Sequence, residues 1–484
     1  MKNCFPILAA CCSLLLVQGC SSLPKRDPLP SSDPPLPASF SDSGATNPVV
    51  LPNWKSYFQD PHLTALIHAA LENNQELNIL MQEIAVSKSE VLERKGALFP
   101  FVTLGGNAGL EKPGRFTRDG AVEDNHANEI EPGKPIPEPL SHYGISADFD
   151  WEVDIWRKLR NERDAAIKRY LATREGRNFM VTHLVAEIAE SYYELLALDN
   201  RLAILQSMIG IQENALEAVK LQKAAAKATE LAVKRFEAEV LKNQSLLFEI
   251  QQLITVTENR INYLVGRYPQ RVERHSTEFG NLMLPEIQPG VPAALLRNRP
   301  DVRRAELELL AAGLDVKVAG ARFYPSLTLS AALGLESFKL SSLATMPESL
   351  LYGAAANLAM PLINRSAIQA AFKGSSARQV AAIYSYQQAV LKAYIEVVNQ
   401  LAEISNLSLA FDRKSKQVQA LSDSITITGQ LFNNARADYT EVLFTQRDAL
   451  EAKLDLVEIK QKQLAAFIKA YKALGGGVER NDGG

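Results

Sequence analysis

The sequence predicts a mainly α-helical chain that also carries a membrane β-barrel component: long antiparallel coiled-coil helical hairpins plus four β-strands. Three observations lead there. Two long stretches lack proline and keep a heptad spacing, four segments alternate between apolar and polar or small residues, and the two halves of the chain repeat each other.

The chain opens with Lys2 and an apolar run over residues 4–17. That run has the length of a signal-peptide core and is too short to span a bilayer, which takes ~20 apolar residues in a helix. It ends in Val17-Gln18-Gly19-Cys20, which resembles a lipobox, so cleavage before Cys20 would leave a thiol to be acylated. An ordinary signal peptide cut nearby, with Cys20 unmodified, is the alternative. All four cysteines (Cys4, Cys11, Cys12 and Cys20) lie in this segment, so the mature chain keeps one thiol and forms no internal disulfide. Ser21 follows where, by resemblance to bacterial lipoproteins, an aspartate would argue for inner-membrane retention; the expected destination is the outer membrane. Beyond Cys20 no run approaches 18 apolar residues, so a membrane crossing would have to be a barrel. A net charge of −3 gives no signal for nucleic acid or an anionic surface. Residues 21–52, rich in Pro, Ser and Asp, read as an extended tether or as plain disorder.

Proline placement organises the remainder. None lies between Pro139 and Pro269, and none follows Pro361. Proline breaks helix interiors, so these stretches can hold long helices. Leu184, Ile188, Ser191, Leu195, Leu198, Leu202 and Leu205 advance by alternating steps of four and three, as do Val390, Tyr394, Val397, Leu401, Ile404, Ser408 and Phe411. Leu247, Ile250, Ile254, Thr257, Ile261 and Leu264 keep the same spacing, and so do Leu450, Leu454, Val457, Gln461, Leu464, Ile468 and Tyr471. Such alternation is a coiled-coil seam. Each stretch is expected to fold as a hairpin with arms of ~50 residues, or ~75 Å at the helical rise. A soluble helical bundle is the blander alternative.

A period of two marks the strands. Val102, Leu104, Ala108 and Leu110 alternate with Thr103, Gly105, Asn107 and Gly109; Tyr143 to Val153 alternate with Gly144 to Asp154, the latter set including Asp148, Asp150 and Glu152. Leu327 to Leu335 and Tyr352 to Met360 repeat the pattern. Phe149, Trp151 and Trp156 gather toward one end of the second strand, as an interfacial aromatic girdle would. Two amphipathic hairpins on a soluble sheet would share this pattern. Four strands cannot close a barrel, because the smallest have ~8, so a spanning reading requires several chains.

Strands and hairpins repeat together. Phe99-Pro100, Thr103-Leu104 and Gly109-Leu110 match Tyr324-Pro325, Thr328-Leu329 and Gly334-Leu335, and residues 225–233 lie over residues 435–443. The first inter-strand loop is the longer, and its run from Glu131 to Pro139 is polar and proline-rich, as suits a cell-surface loop. The expected division is a signal peptide over 1–19 and a lipidated tether over 20–52. Helices over 53–98, strands and loop over 99–154 and a hairpin over 155–268 form the first repeat. Linker and helices over 269–324, strands over 325–362 and a hairpin over 363–474 form the second, with a tail over 475–484.

These residues also carry a family resemblance. Trp54, Phe58, Asp60-Pro61, Leu63, Leu66-Ile67, Ala70-Leu71, Asn74 and Leu77 resemble the opening motif of TolC-type outer-membrane factors, in the lipoprotein branch that works with RND pumps. Leu295-Leu296-Arg297-Asn298-Arg299-Pro300-Asp301-Val302-Arg303-Arg304-Ala305-Glu306, with Arg322 to Ser326, resembles that branch's signature. The resemblance runs from Trp54 to Leu474. It implies a homotrimer with a twelve-stranded barrel in outer-membrane lipid and a periplasmic helical tunnel. It also implies a periplasmic adaptor and an inner-membrane RND-type pump as partners, with a passive efflux duct as the function. The stretch from Phe432 to Arg447 resembles the family's tip turn and departs from it twice. Ala435 stands where glycine is usual, so the turn would be made without a permissive left-handed residue. Phe444 replaces the aspartate of the aperture ring, which leaves a Phe444 ring or a shifted acidic ring at Glu441 as candidate constrictions, with simple packing the alternative for Phe444. Asp438 is either a lumen residue or a local cap.

Signals of catalysis are missing from the sequence. His62, His68, His126, His142, His183 and His275 form no metal-binding pair by spacing, and Gly105-Gly106 lacks the rest of a phosphate loop. The expectation is no enzyme, no cofactor beyond a covalent lipid on Cys20, no metal and no nucleic acid. Two other readings are an exit portal for type I protein secretion and a non-channel coiled-coil lipoprotein.

Overall fold

The computed structural model describes residues 28–31, 37, 39–40, 54–123, 129–131, 133–135, 137–275, 279–282, 292, 298–361, 365–434 and 436–476. Cys20, the signal peptide, most of the tether, His126 and Ala435 lie outside the described residues. The chain forms two compact units. One draws on Val86–Tyr170 and Leu307–Ile383, the other on Ser31–Ala85, Leu171–Glu306 and Tyr384–Gly484.

The described helices are α1 (Trp54–Tyr57), α2 (Pro61–Asn73), α3 (Gln75–Gly96), α4 (Arg118–Glu123), α5 (Lys158–Ala224), α6 (Glu230–Val265), α7 (Pro300–Ala321), α8 (Ser366–Asn433) and α9 (Tyr439–Ala473). The strands are β1 (Phe101–Glu111), β2 (Glu129–Glu131), β3 (Lys134–Pro135), β4 (Leu140–Val153), β5 (Ser326–Ser337) and β6 (Leu350–Ala359). Four of them form one antiparallel sheet in the order β1-β4-β5-β6, as the alternating segments predict. Register keeps like beside like. Trp151 pairs with Leu329 and Leu329 with Ala356, while Asp150 pairs with Ser330 and Ser330 with Ala355. One face is therefore apolar and the other polar, and a slip of one residue would exchange them. Strands β1 and β6 each pair on one side only within the described sheet, and every residue of both is exposed.

Hairpin arms depart from the expected symmetry. The outgoing helices have 67 and 68 residues, and the returning ones 36 and 35. Heptad spacing gives the period of a helix but not its stop, and the stops come from local chemistry. Helix α5 starts directly after β4, where the Asp154 carboxylate accepts from the backbone N–H groups of Leu159 and Arg160. Helix α6 ends at Gly266, whose φ is +78°. A β-carbon there would lie 2.4 Å from the Asn73 carbonyl oxygen, so only glycine fits.

In the helical unit the predicted seam is buried. Leu184, Ile188, Ser191, Leu195, Leu198 and Leu205 of α5 are all inaccessible, and Ile261 and Leu264 of α6 pack against Phe58, Leu63 and Ile67 from α2 and the turn before it. On α8 the seam drifts: Ser408 is exposed, and its neighbour Leu407 is half-buried and accepts a hydrogen bond from Gln463.

Arg299 shows what the signature run does. Its buried guanidinium pairs with Asp301 and Glu396 at 2.7 Å each and donates to the Ala473 carbonyl, tying the start of α7 to α8 and the end of α9. Burial alone would weaken its charge, but these two carboxylates hold its pKa above the ordinary arginine value. The described tether residues are also held. Phe40 is buried and stacks on Tyr394, Gln387 donates to the Ser31 carbonyl, and Tyr394 donates to that of Ser39.

Candidate functional site

Two regions carry function-bearing residues: the helical turns of one unit and the polar sheet face of the other.

Both long hairpins turn by the same device. Past α5, Ala226 N–H bonds the Lys223 carbonyl and Lys227 N–H bonds that of Gln222, a Schellman arrangement with Ala226 in the left-handed position at φ +59°. Past α8, Arg436 N–H bonds the Leu431 carbonyl five residues back in the same way, and Ala435 precedes Arg436 in the sequence as Ala226 precedes Lys227. At Ala226 the left-handed conformation is adopted despite a β-carbon; the expectation made for Ala435 falls outside the described residues.

The two turns share an apolar core. Phe236, Val219, Ala232 and Val240 of the first hairpin are buried with Val442 of α9, and Phe432, Tyr439 and Leu443 pack against them. On α9 that core takes Val442, and Gln446, Ala449 and Leu450 are the next buried positions along the helix. Asp438, Glu441, Phe444 and Arg447, three residues apart, are all exposed on the remaining surface. Phe444 does not pack within its own chain as a seam residue would: it is 50% exposed, and the Arg447 guanidinium lies over its ring at 4.9 Å. Asp438 occupies the cap position of α9 with extended backbone, yet its carboxylate makes no cap bond. At the matching place before α6, the Thr229 hydroxyl accepts from Ala232 N–H. The three candidate aperture residues therefore share one exposed stripe. Arg447, the fourth, appeared in the sequence only as the last residue of the tip motif.

In the strand unit, Asp148, Asp150 and Glu152 follow one another along the polar face of β4. Ser146 donates to Asp148, Ser330 to Asp150, and Lys158 pairs with Glu152 at 2.6 Å. Trp151 donates from its indole to the Leu98 carbonyl, and Trp156 to that of Pro325. Trp156 lies just past the strand and stacks on Tyr324 at 4.7 Å, beside a cavity of 170 Å³ that Lys158 and Arg322 also line.

A sheet with an apolar face, an acidic polar face and, among the described residues, two unpaired edges, in a chain that also carries two long hairpins sharing a core at their turns, fits the class of an envelope channel subunit. The chain belongs to the outer membrane efflux protein family, which matches residues 66–267 and 291–476. It is 27% identical over 481 residues to the pyoverdine export outer membrane protein OpmQ of Pseudomonas aeruginosa, covering 99% of this chain and 97% of that one. To the probable outer membrane lipoprotein SilC of Salmonella typhimurium it is 23% identical, with 96% and 97% covered. A crystal structure of CusC superposes with a TM-score of 0.80 at 21% identity, covering 93% of this chain and 99% of that one. The open state of the Neisseria gonorrhoeae MtrE outer membrane channel gives 0.81 at 22%, covering 96% and 100%. The protein is thus an outer-membrane efflux channel component of TolC-like fold.

Proposed function

We propose that three copies of this chain close a twelve-stranded barrel in the outer membrane, with the helical hairpins forming a periplasmic duct for small molecules. The observation that carries this is the sheet itself. Among the described residues, strands β1 and β6 each leave one edge unpaired, and backbone groups left unpaired inside a bilayer cost on the order of several kcal/mol each. Joining β6 of one chain to β1 of the next removes both edges. Three is the number that the family resemblance supports. The duct is passive, and energy comes from an inner-membrane RND-type pump engaged through a periplasmic adaptor. Cys20 carries the lipid, a reading supported by the sequence around it and by the lipoprotein relative. Cargo is a small molecule; the relatives' names span pyoverdine, solvents and cations, so membership in the family sets no single cargo.

The aperture is formed by the exposed stripe of α9, with Asp438, Glu441 and Phe444 facing the constriction. Single-channel conductance in planar bilayers, on purified mature protein of known oligomeric mass, tests the whole reading. Discrete pores from a trimer are expected, with higher conductance after Glu441→Ala or Phe444→Ala. A monomeric mass, together with silence from the native chain and both variants, would refute it.

A further inference from the structure

By spacing, the six histidines make no pair, but folding creates one. The rings of His62 and His275 lie 4.6 Å apart between centroids, inclined at 65°. His62 is in the first turn of α2 and is half-buried; His275 lies in the segment that follows α6 and is exposed. Among the described residues no side chain hydrogen-bonds either ring.

Both histidines stand on pinned backbone. Asp60 Oδ1 accepts from the backbone N–H of His62 at 2.8 Å, and Asp60 Oδ2 is held by the Tyr192 hydroxyl at 2.8 Å. On the other side, Val272 is buried in the same core as Leu63. Arg274, next to His275, grips Asp199 through two nitrogens at 2.6 and 2.9 Å and also pairs with Glu258. These residues supply three carboxylates against one guanidinium, a surplus of negative charge in the supporting shell. Ligand-bearing elements fixed in this way hold their spacing without a ligand, which is the requirement for a preorganised metal site.

The spacing itself is informative. An imidazole nitrogen binds a divalent transition metal at about 2.0–2.1 Å, which places the ring centre about 3.2 Å from the metal. Two such rings at right angles about the metal have centres about 4.5 Å apart, and at the tetrahedral angle about 5.2 Å. The observed 4.6 Å falls in the range spanned by two imidazoles on one metal ion, which is also that of an edge-to-face ring contact. Imidazole suits zinc, copper and nickel, and for a given nitrogen site the affinity of the divalent first-row ions peaks at Cu²⁺. Because His275 faces solvent, water can fill the other positions.

We infer that His62 and His275 form a two-imidazole site for a divalent transition cation, copper(II) best, which clamps the start of α2 to the segment after α6. The inference does not depend on the channel reading.

Copper(II) alone, titrated into untagged full-length protein in detergent, tests the site. Binding should saturate at one equivalent per chain, and electron paramagnetic resonance should show coupling to two imidazole nitrogens. His62→Gln or His275→Gln should each weaken binding at least ten-fold and leave one coupled nitrogen. His68→Gln provides the control, since His68 packs on Trp54 and should change nothing. Circular dichroism and oligomeric mass establish that each variant is folded. Absence of a saturable site, loss of the same copper in His68→Gln, or a two-nitrogen signal surviving in both other variants would overturn the inference. The contact would then be ordinary edge-to-face packing.

Discussion

The two helical hairpins are copies that differ where they turn. Their outgoing arms have 67 and 68 residues and their returning arms 36 and 35, so the duplication has kept its lengths almost unchanged. Both turns close with a bond running five residues back, and both feed one apolar core. The difference lies in what each turn does with its polar and aromatic groups. In the first, Thr229 spends its hydroxyl on capping α6 and Phe236 is fully buried. In the second, Asp438 leaves its carboxylate unbonded at the cap and Phe444 stays exposed under Arg447. One turn is organised for stability, and the other leaves a carboxylate without a cap bond and a ring exposed, as the proposed aperture requires.

The largest expected effect separates the two phenylalanines. Phe236→Ala should lower the stability of the helical unit by about 3–5 kcal/mol, the usual range for emptying a buried aromatic site. Phe444→Ala should change stability by no more than about 0.5 kcal/mol, as at other surface positions, while altering conductance. Denaturation midpoints and single-channel currents on the same preparations read both quantities. Equal destabilisation by the two substitutions would break the contrast and mean that Phe444 is buried between chains.

A smaller effect distinguishes the caps. Thr229→Ala should cost about 1 kcal/mol, because the Ala232 N–H loses its acceptor. Asp438→Ala removes no cap bond and should leave the melting transition in place; its effect should appear in the preference of the pore for cations over anions. If Asp438→Ala destabilised as much as Thr229→Ala, the carboxylate would be a cap in the assembled protein.

Much of this architecture was legible because it is periodic. A four-three seam shows itself in Leu184 to Leu205, and a two-residue alternation in Leu327 to Leu335, since burial imposes the period directly on residue type. Arm length was not legible, because an unbroken heptad pattern contains no stop. The end of α6 depends on a close approach of Asn73 to Gly266, which exists only after folding, and the start of α5 on the local cap by the Asp154 carboxylate. At the site, the tip motif pointed to Asp438, Glu441 and Phe444, but only the structure places all three on one exposed stripe with Arg447. His62 and His275 were unreadable as a pair for the same reason that made Arg299 readable only as a motif. Their contacts join segments far apart in sequence, and no local pattern records them.

The smallest prediction concerns the alanine at the first turn. Ala226 holds φ at +59°, where a β-carbon costs roughly 1–2 kcal/mol relative to glycine. Against that, glycine at any position loses about 0.4–1 kcal/mol through the greater freedom of the unfolded chain. The first term is the larger, so Ala226→Gly should stabilise the hairpin by about 0.5 kcal/mol, read as a small rise in denaturation midpoint. Ala435 precedes the residue that closes the second turn, as Ala226 does in the first, so Ala435→Gly extends the test. A similar gain there would mean that both turns carry the same backbone strain and that they diverge in side chains alone. A loss at Ala435 with a gain at Ala226 would carry the difference between the turns down to the backbone.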